Sequence, residues 1–246
     1  MLRRRAMIAV LFAAALIVPA DAQQLADAQS RRDAIRFYRT GQEFYSAEKF
    51  DRAAEEFTKA AGKDPLFTLA YYQAGQSYMN LKRYASAIKE FQQCLDASRQ
   101  LYTLAETNRF AVEKQREDDI REMRETVRTL QQSGHQLLAV RAEQHLADLE
   151  KQRTSMNSGY RAPAEVLLSL GSAFFRNGDR AAAETEWKAA VDANPKLGEA
   201  HNNLAVIYLT SGRIKDAEDE VKAAEKTGFR VNPQLKEDIK KAAPPR

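Results

Sequence analysis

The sequence of 246 residues contains one cysteine, Cys94, with only ten glycines and seven prolines. A lone cysteine cannot build an internal disulfide framework, which excludes a small cross-linked scaffold. Scarce glycine and proline mean few turns and argue against many short strands, while the abundance of Ala, Glu, Lys, Arg, Gln and Leu favours helices. Charge bias is missing as well. Lys and Arg number 38 against 34 Asp and Glu, and the signs alternate along the chain, so no basic face is marked out for nucleic acid. The three histidines, His135, His145 and His201, lack the close spacing of metal ligands and read as solvent-facing or locally satisfied. There is no phosphate-cradling glycine loop, no Ser/His/Asp set and no nucleophile elbow. No catalytic residue, metal or cofactor is expected. Acidic pairs such as Glu55-Glu56 and Asp118-Asp119 read as solvated helix faces, and Cys94 as a small buried side chain.

A long apolar run occurs at the N-terminus. Arg3, Arg4 and Arg5 precede the apolar stretch from Ala6 to Val18, and Pro19-Ala20-Asp21-Ala22 follows it. This is the three-part layout of a secretory signal with cleavage after Ala22, and the stretch is short for a bilayer span. The expectation is an exported chain, periplasmic or secreted, that touches a membrane only through an uncleaved signal. Taking three Arg and one Asp out with this segment leaves 35 basic against 33 acidic residues.

Set against itself at an offset of 34, the chain pairs Gly41 with Gly75, Phe44 with Tyr78, Ala53 with Ala87 and Phe57 with Phe91. The same offset pairs Gly171 with Ala205, Phe174 with Tyr208, Ala183 with Ala217 and Trp187 with Val221. Breakers at 46–49, 80–83, 177–179 and 211–213 split each unit into two helical stretches. Gly or Ala on one helix and Ala on the other let the backbones approach, and the large ring fills the space beside the crossing. Asp64-Pro65 and Asn194-Pro195 close the first and third units, since Pro cannot continue a helix but suits the start of the next.

This pattern resembles the tetratricopeptide repeat over about 34–99 and 164–230. The resemblance implies an all-α solenoid of helical hairpins in two blocks, separated by a long-helix insert. Departures are Arg99 and Phe229 where the closing Pro belongs, and Val221 in place of an aromatic. Residues 231–241 read as a polar terminal helix that covers the last hairpin through Leu235 and Ile239. The resemblance further implies a concave face lined by the first helix of each unit, and a partner protein or peptide held there. The residues it assigns to partner binding are Tyr38, Gln42 and Tyr45 in the first unit, and Tyr72, Gln76 and Met79 in the second. Leu168, Ser172 and Phe175 follow in the third, and Asn202, Asn203 and Val206 in the fourth. Glu165 and Glu199 fall on concave positions too. Tyr38 and Tyr72, equivalent across 34 residues, are expected to be an exposed pair. The basic clamp by which some family members hold a C-terminal carboxylate is not matched, because Tyr38, Gln42, Gln73, Glu165 and Ser169 stand at its positions.

Gly75 and Gly171 are 96 residues apart, which is not a multiple of 34, so something else is inserted. Residues 101–132 lack Gly and Pro and carry Ile120, Met123, Val127 and Leu130 at alternating three and four spacings, which predicts one long helix. After Ser133-Gly134, a second helix is predicted as far as about Arg153, and a linker over 154–163. The pair reads either as a hairpin packed on the blocks or as a coiled coil that forms a homodimer. The domains expected are a signal at 1–22, a repeat block at 23–100, the insert at 101–160 and a second block with its cap at 161–246. The function expected is a non-enzymatic adaptor in envelope assembly, the alternative being a spacer that acts through the insert.

Overall fold

A computed structural model describes residues 25–154 and 160–243, which form eleven α-helices and no strand. The signal expected at 1–22 and the centre of the expected linker lie outside the described residues. Among the described residues no helix is long and apolar enough to cross a membrane.

Four helical hairpins follow the 34-residue period. They are α1 (Ala28–Ser46) with α2 (Phe50–Lys63), α3 (Thr68–Asn80) with α4 (Tyr84–Thr107), α7 (Ala164–Arg176) with α8 (Arg180–Ala193), and α9 (Gly198–Thr210) with α10 (Ile214–Lys226). Two residues beyond each first helix stands a residue of left-handed backbone: Glu48 (φ 56°), Lys82 (φ 59°), Gly178 (φ 94°) and Gly212 (φ 76°). The next N–H reaches back five residues to close the turn, as in Lys49 N to Phe44 O at 2.8 Å and Arg213 N to Tyr208 O at 2.8 Å. This satisfies a helix-end carbonyl while reversing the chain.

Within the first three hairpins the small-against-large interlock is tight. A Cβ added to Gly41 would lie 2.7 Å from the Phe57 ring, one at Gly75 2.5 Å from Phe91, and one at Gly171 2.5 Å from Trp187. The Trp187 indole N–H also donates to Leu168 O at 3.1 Å, which satisfies its polar edge in the core. The fourth hairpin solves the same problem with Ala205 against Val221, both buried.

The two blocks are separated in sequence and stacked in space. Helix α4 packs directly on α7, and one apolar cluster joins Tyr72, Phe91 and Cys94 to Val166, Leu170 and Ala173. The chain leaves the solenoid after the second unit and returns to the same place. Arg99, standing where a closing Pro would stop the helix, lets α4 run on to Thr107. The single long helix predicted over 101–132 is therefore not formed. Asn108 ends α4 and caps α5 (Arg109–Gln132), its side chain accepting from Ala111 N at 3.4 Å; a capping asparagine supplied the break that Gly or Pro would have announced. Helix α6 (Gln136–Thr154) returns antiparallel to α5 through the left-handed Gly134. Finally α11 (Pro233–Ala242) covers the last hairpin with buried Ile239 and partly buried Leu235, as the terminal repeat of a solenoid requires.

The seam of α5 is covered within the molecule. Met123, Val127 and Leu130 join Tyr38, Phe67 and Leu69 in one core cluster, together with Ala139 and Ala142 of α6, and Ile120 is buried too. The surface that a dimerising coiled coil would use is thus occupied by the chain's own first two units and by α6.

Candidate functional site

The first helices of the units, α1, α3, α7 and α9, present the face that the repeat pattern marks for binding, and the insert crosses part of it. Helix α5 lies along α1. Arg39 makes a two-pronged ion pair with Glu122, Nε to Oε2 at 3.0 Å and Nη2 to Oε1 at 2.6 Å. Gln42 donates to Thr126, the Tyr38 hydroxyl lies 3.4 Å from Thr126 Oγ1, and His135 Nε2 lies 2.8 Å from Ser46 O. At the other end Arg31 bridges Asp64 (2.5 Å) and Asp119. Asp119 is thereby a buried structural carboxylate, which corrects its reading as a solvated face. Its acid is pushed up to about 6 by burial, against the pull of Arg31.

This arrangement corrects the expected exposed pair. Tyr38 is 0% exposed and packs its ring 5.0 Å from Phe67 and 5.4 Å from Phe57. Tyr72 is 3% exposed, with the His145 ring of α6 at 4.1 Å. Sequence period marks the face of a helix but not what lies over it, and here α5 and α6 lie over it. Tyr45 is buried as well, accepting from Asn80 Nδ2 at 3.2 Å, and burial raises its hydroxyl to about 12. His145 is neither solvent-facing nor satisfied: its Nδ1 is buried without a partner, and desolvation holds its pKa down to about 3, so the ring is neutral. His201 is paired locally, with Glu220 at 2.6 Å and Pro195 O at 3.1 Å. Cys94 is buried and donates to Thr68 O at 3.3 Å, and desolvation drives its thiol upward, away from the reactive thiolate.

Beyond the insert the trough stays open. A cavity of 520 Å³ lies among α3, α6, α7 and α9. Tyr72, Gln76, Met79, Leu168, Ser172, Phe175, Asn203 and Val206 line it, so these candidates converge on one site. Tyr38, Gln42, Tyr45 and Asn202 do not reach it; Asn202 Oδ1 is buried and unpaired elsewhere. The chain spaces the liners regularly: Leu168, Ser172 and Phe175 recur at helical period along one face of α7. Gln76 of α3 donates to Ser169 Oγ of α7 at 3.0 Å, which ties the walls of two units together.

Charged liners complete the wall. Arg141 of α6 faces the cavity and lies 3.8 Å from Glu199 of α9. Glu165, in the first turn of α7, is 4% exposed and lines the same space. Burial first, then Asp148 and Glu199, push its acid up to about 8, with Arg141 opposing. Lys82 and Arg176 stand among the liners at the opposite end of α7, about 16 Å away along the helix. Arg141 had no signal in the repeat pattern, because it belongs to the insert and reaches the groove only by tertiary folding. Among the described residues no group of three His, Cys, Asp or Glu is placed to hold a metal ion.

A family model described as Tetratricopeptide repeat matches residues 38–101 and 168–229, together just over half of the chain. None of the curated proteins matches the chain in sequence. Solved structures similar to it include PilW, a widely conserved type IV pilus biogenesis factor (17% identity, TM-score 0.41, 85% of this chain and 85% of that one). Another is YrrB, a repeat protein with an unusual peptide-binding site (19%, 0.30, 87% and 94%). A third is a thermophilic protein of Thermus thermophilus (20%, 0.34, 85% and 98%).

Proposed function

Because the chain belongs to the tetratricopeptide repeat family, whose members are in general non-enzymatic interaction scaffolds, we propose that it binds a polypeptide segment of a partner in the open part of its trough. The observation that carries this reading is the 520 Å³ cavity, where Met79, Leu168, Phe175 and Val206 offer apolar contact beside the amides of Gln76 and Asn203. Apolar anchors supply binding energy through desolvation, and amides match the donors and acceptors of a partner backbone. The bound segment meets units two to four, with α6 as a side wall. The first unit is occupied by the insert and acts as its support. We propose further, from the Arg3–Arg5 cluster and the apolar stretch that follows it, that the protein works outside the cytoplasm in an envelope assembly.

Selection of displayed random peptides on residues 23–246 tests this reading. Selected peptides are expected to bind the unaltered protein and to lose binding when Ser172→Trp fills the cavity, with Gln42→Trp beneath the insert as a contrast. Peptides indifferent to Ser172→Trp, or none selected at all, remove the groove reading. Mass spectrometry of the protein recovered from cells checks export, with a mature start at Gln23 as the expected result.

A further inference from the structure

The end of the cavity at the first turn of α7 has a feature that peptide binding in general does not account for. Glu165 is 4% exposed and lines the cavity, yet among the described residues its carboxylate has no hydrogen-bond or ion-pair partner. Its backbone N–H is held by Asp148 Oδ2 at 3.2 Å, so the side chain is aimed by a fixed backbone. A buried carboxylate without a partner is costly, because water is removed and nothing replaces it. Around it stand Asp148 and Arg141 of α6, Glu199 of α9 and Tyr72 of α3. Asp148 accepts from the first turn of α7 and has Lys151 beside it, and Arg141 leans toward Glu199, which leaves Glu165 as the carboxylate least compensated within the molecule.

We infer that this end of the groove receives a cationic group of the bound segment, the ammonium of a lysine or the guanidinium of an arginine, as the ion-pair partner of Glu165. The inference rests on the groove reading and adds the chemistry of the partner to it. A metal ion fits less well, since the carboxylates do not converge as a ligand set. A primary ammonium has three donors and a guanidinium five, and the Glu165 carboxylate, with the hydroxyls of Tyr72 and Ser169 lining the same cavity, offers acceptors to either. Without a ligand, burial keeps a proton on Glu165 to about pH 8; an arriving cation takes the place of that proton, which leaves to solvent. Lys82 and Arg176 at the far end of α7 set a polarity, with the partner's basic residue toward the first turn of α7 and any acidic residue toward its last.

The test is a solution NMR titration of residues 23–246 with n-butylammonium and with methylguanidinium, using n-butanol and sodium chloride as controls. Saturable shifts at the amides of Glu165, Ser169 and Glu199 are expected with at least one cation, and their loss in Glu165→Gln. The substitution preserves shape and removes only the charge, and a thermal melt confirms the fold. No saturable shift with either cation, or a shift unchanged in Glu165→Gln, overturns the inference. Selected peptides supply the second arm: replacing their lysine or arginine by norleucine is expected to weaken binding about tenfold or more, as for loss of a charge-assisted hydrogen bond. Peptides that bind unaltered protein and Glu165→Gln equally overturn the cationic subsite and leave groove binding standing. Failure to select any peptide strikes the groove reading, while the titration still reads the acidic end by itself.

Discussion

The interlock inside each hairpin can be exchanged between units. In the second unit, Gly75→Ala places a methyl 2.5 Å from Phe91 Cε1 and 2.7 Å from Cδ1, about an ångström inside normal carbon contact. The ring cannot withdraw: Phe91 is 0% exposed and packed among Tyr72, Cys94, Val166 and Leu170. Overpacking of this kind costs about 1–3 kcal/mol, and the better helix propensity of Ala offsets roughly 1 kcal/mol of it. The net expectation is a loss of about 0–2 kcal/mol. Phe91→Val alone leaves a void and is expected to cost about 2–3 kcal/mol. The double variant recreates the Ala205/Val221 pair that the fourth unit already uses. Its cost should fall short of the summed single costs by about 1–3 kcal/mol, because the clash disappears while the helix gain remains. Urea denaturation followed by circular dichroism measures all four proteins, with equal slopes confirming a common unfolding transition. Additivity within about 0.5 kcal/mol would show that these positions do not interact, and the steric account of the repeat would fail.

The turns offer a second prediction. Lys82→Gly and Glu48→Gly should each stabilise by about 1 kcal/mol, since both residues hold a left-handed backbone that glycine adopts without steric cost; a lower melting temperature for either variant contradicts the turn assignment. A third concerns pH. The unfolded chain releases the Glu165 proton near the ordinary 4.5 and the folded chain near 8, so the folded state binds the extra proton between them. Stability should therefore fall as pH rises through that window, by at most about 1.4 kcal/mol per pH unit, and level off above it. Glu165→Gln should flatten the fall and exceed the unaltered protein in stability at pH 8.5; a wild-type slope retained in the variant in chemical denaturation across pH 5–9 refutes the buried, unpartnered carboxylate.

Most of the hairpin architecture was legible in the residues. The 34-residue offset located Gly75 against Phe91 and Gly171 against Trp187, and the breakers located the turns, because these contacts join residues within one hairpin. Arg99 in place of Pro marked where the second unit departs from the pattern, and α4 does continue there. The break at Asn108 was not read, since asparagine caps helices without forbidding their continuation. The candidate groove was legible by halves. Leu168, Ser172, Phe175 and Val206 meet in the cavity as the period implies, whereas Tyr38 and Gln42 lie beneath α5.

What the sequence by itself determined is the repeat, its steric interlock, its turns and its terminal cap, all of which depend on side chains near one another along the chain. Only the tertiary structure decided that the second and third units stack directly, that the insert folds over the first unit, and that Arg141 and Glu165 share one cavity. The reason is physical. Arg39 and Glu122, or Gln42 and Thr126, are more than 80 residues apart, and on their own helices they look like polar side chains facing water. Their burial is set by a partner surface brought from elsewhere, and no local period carries that information.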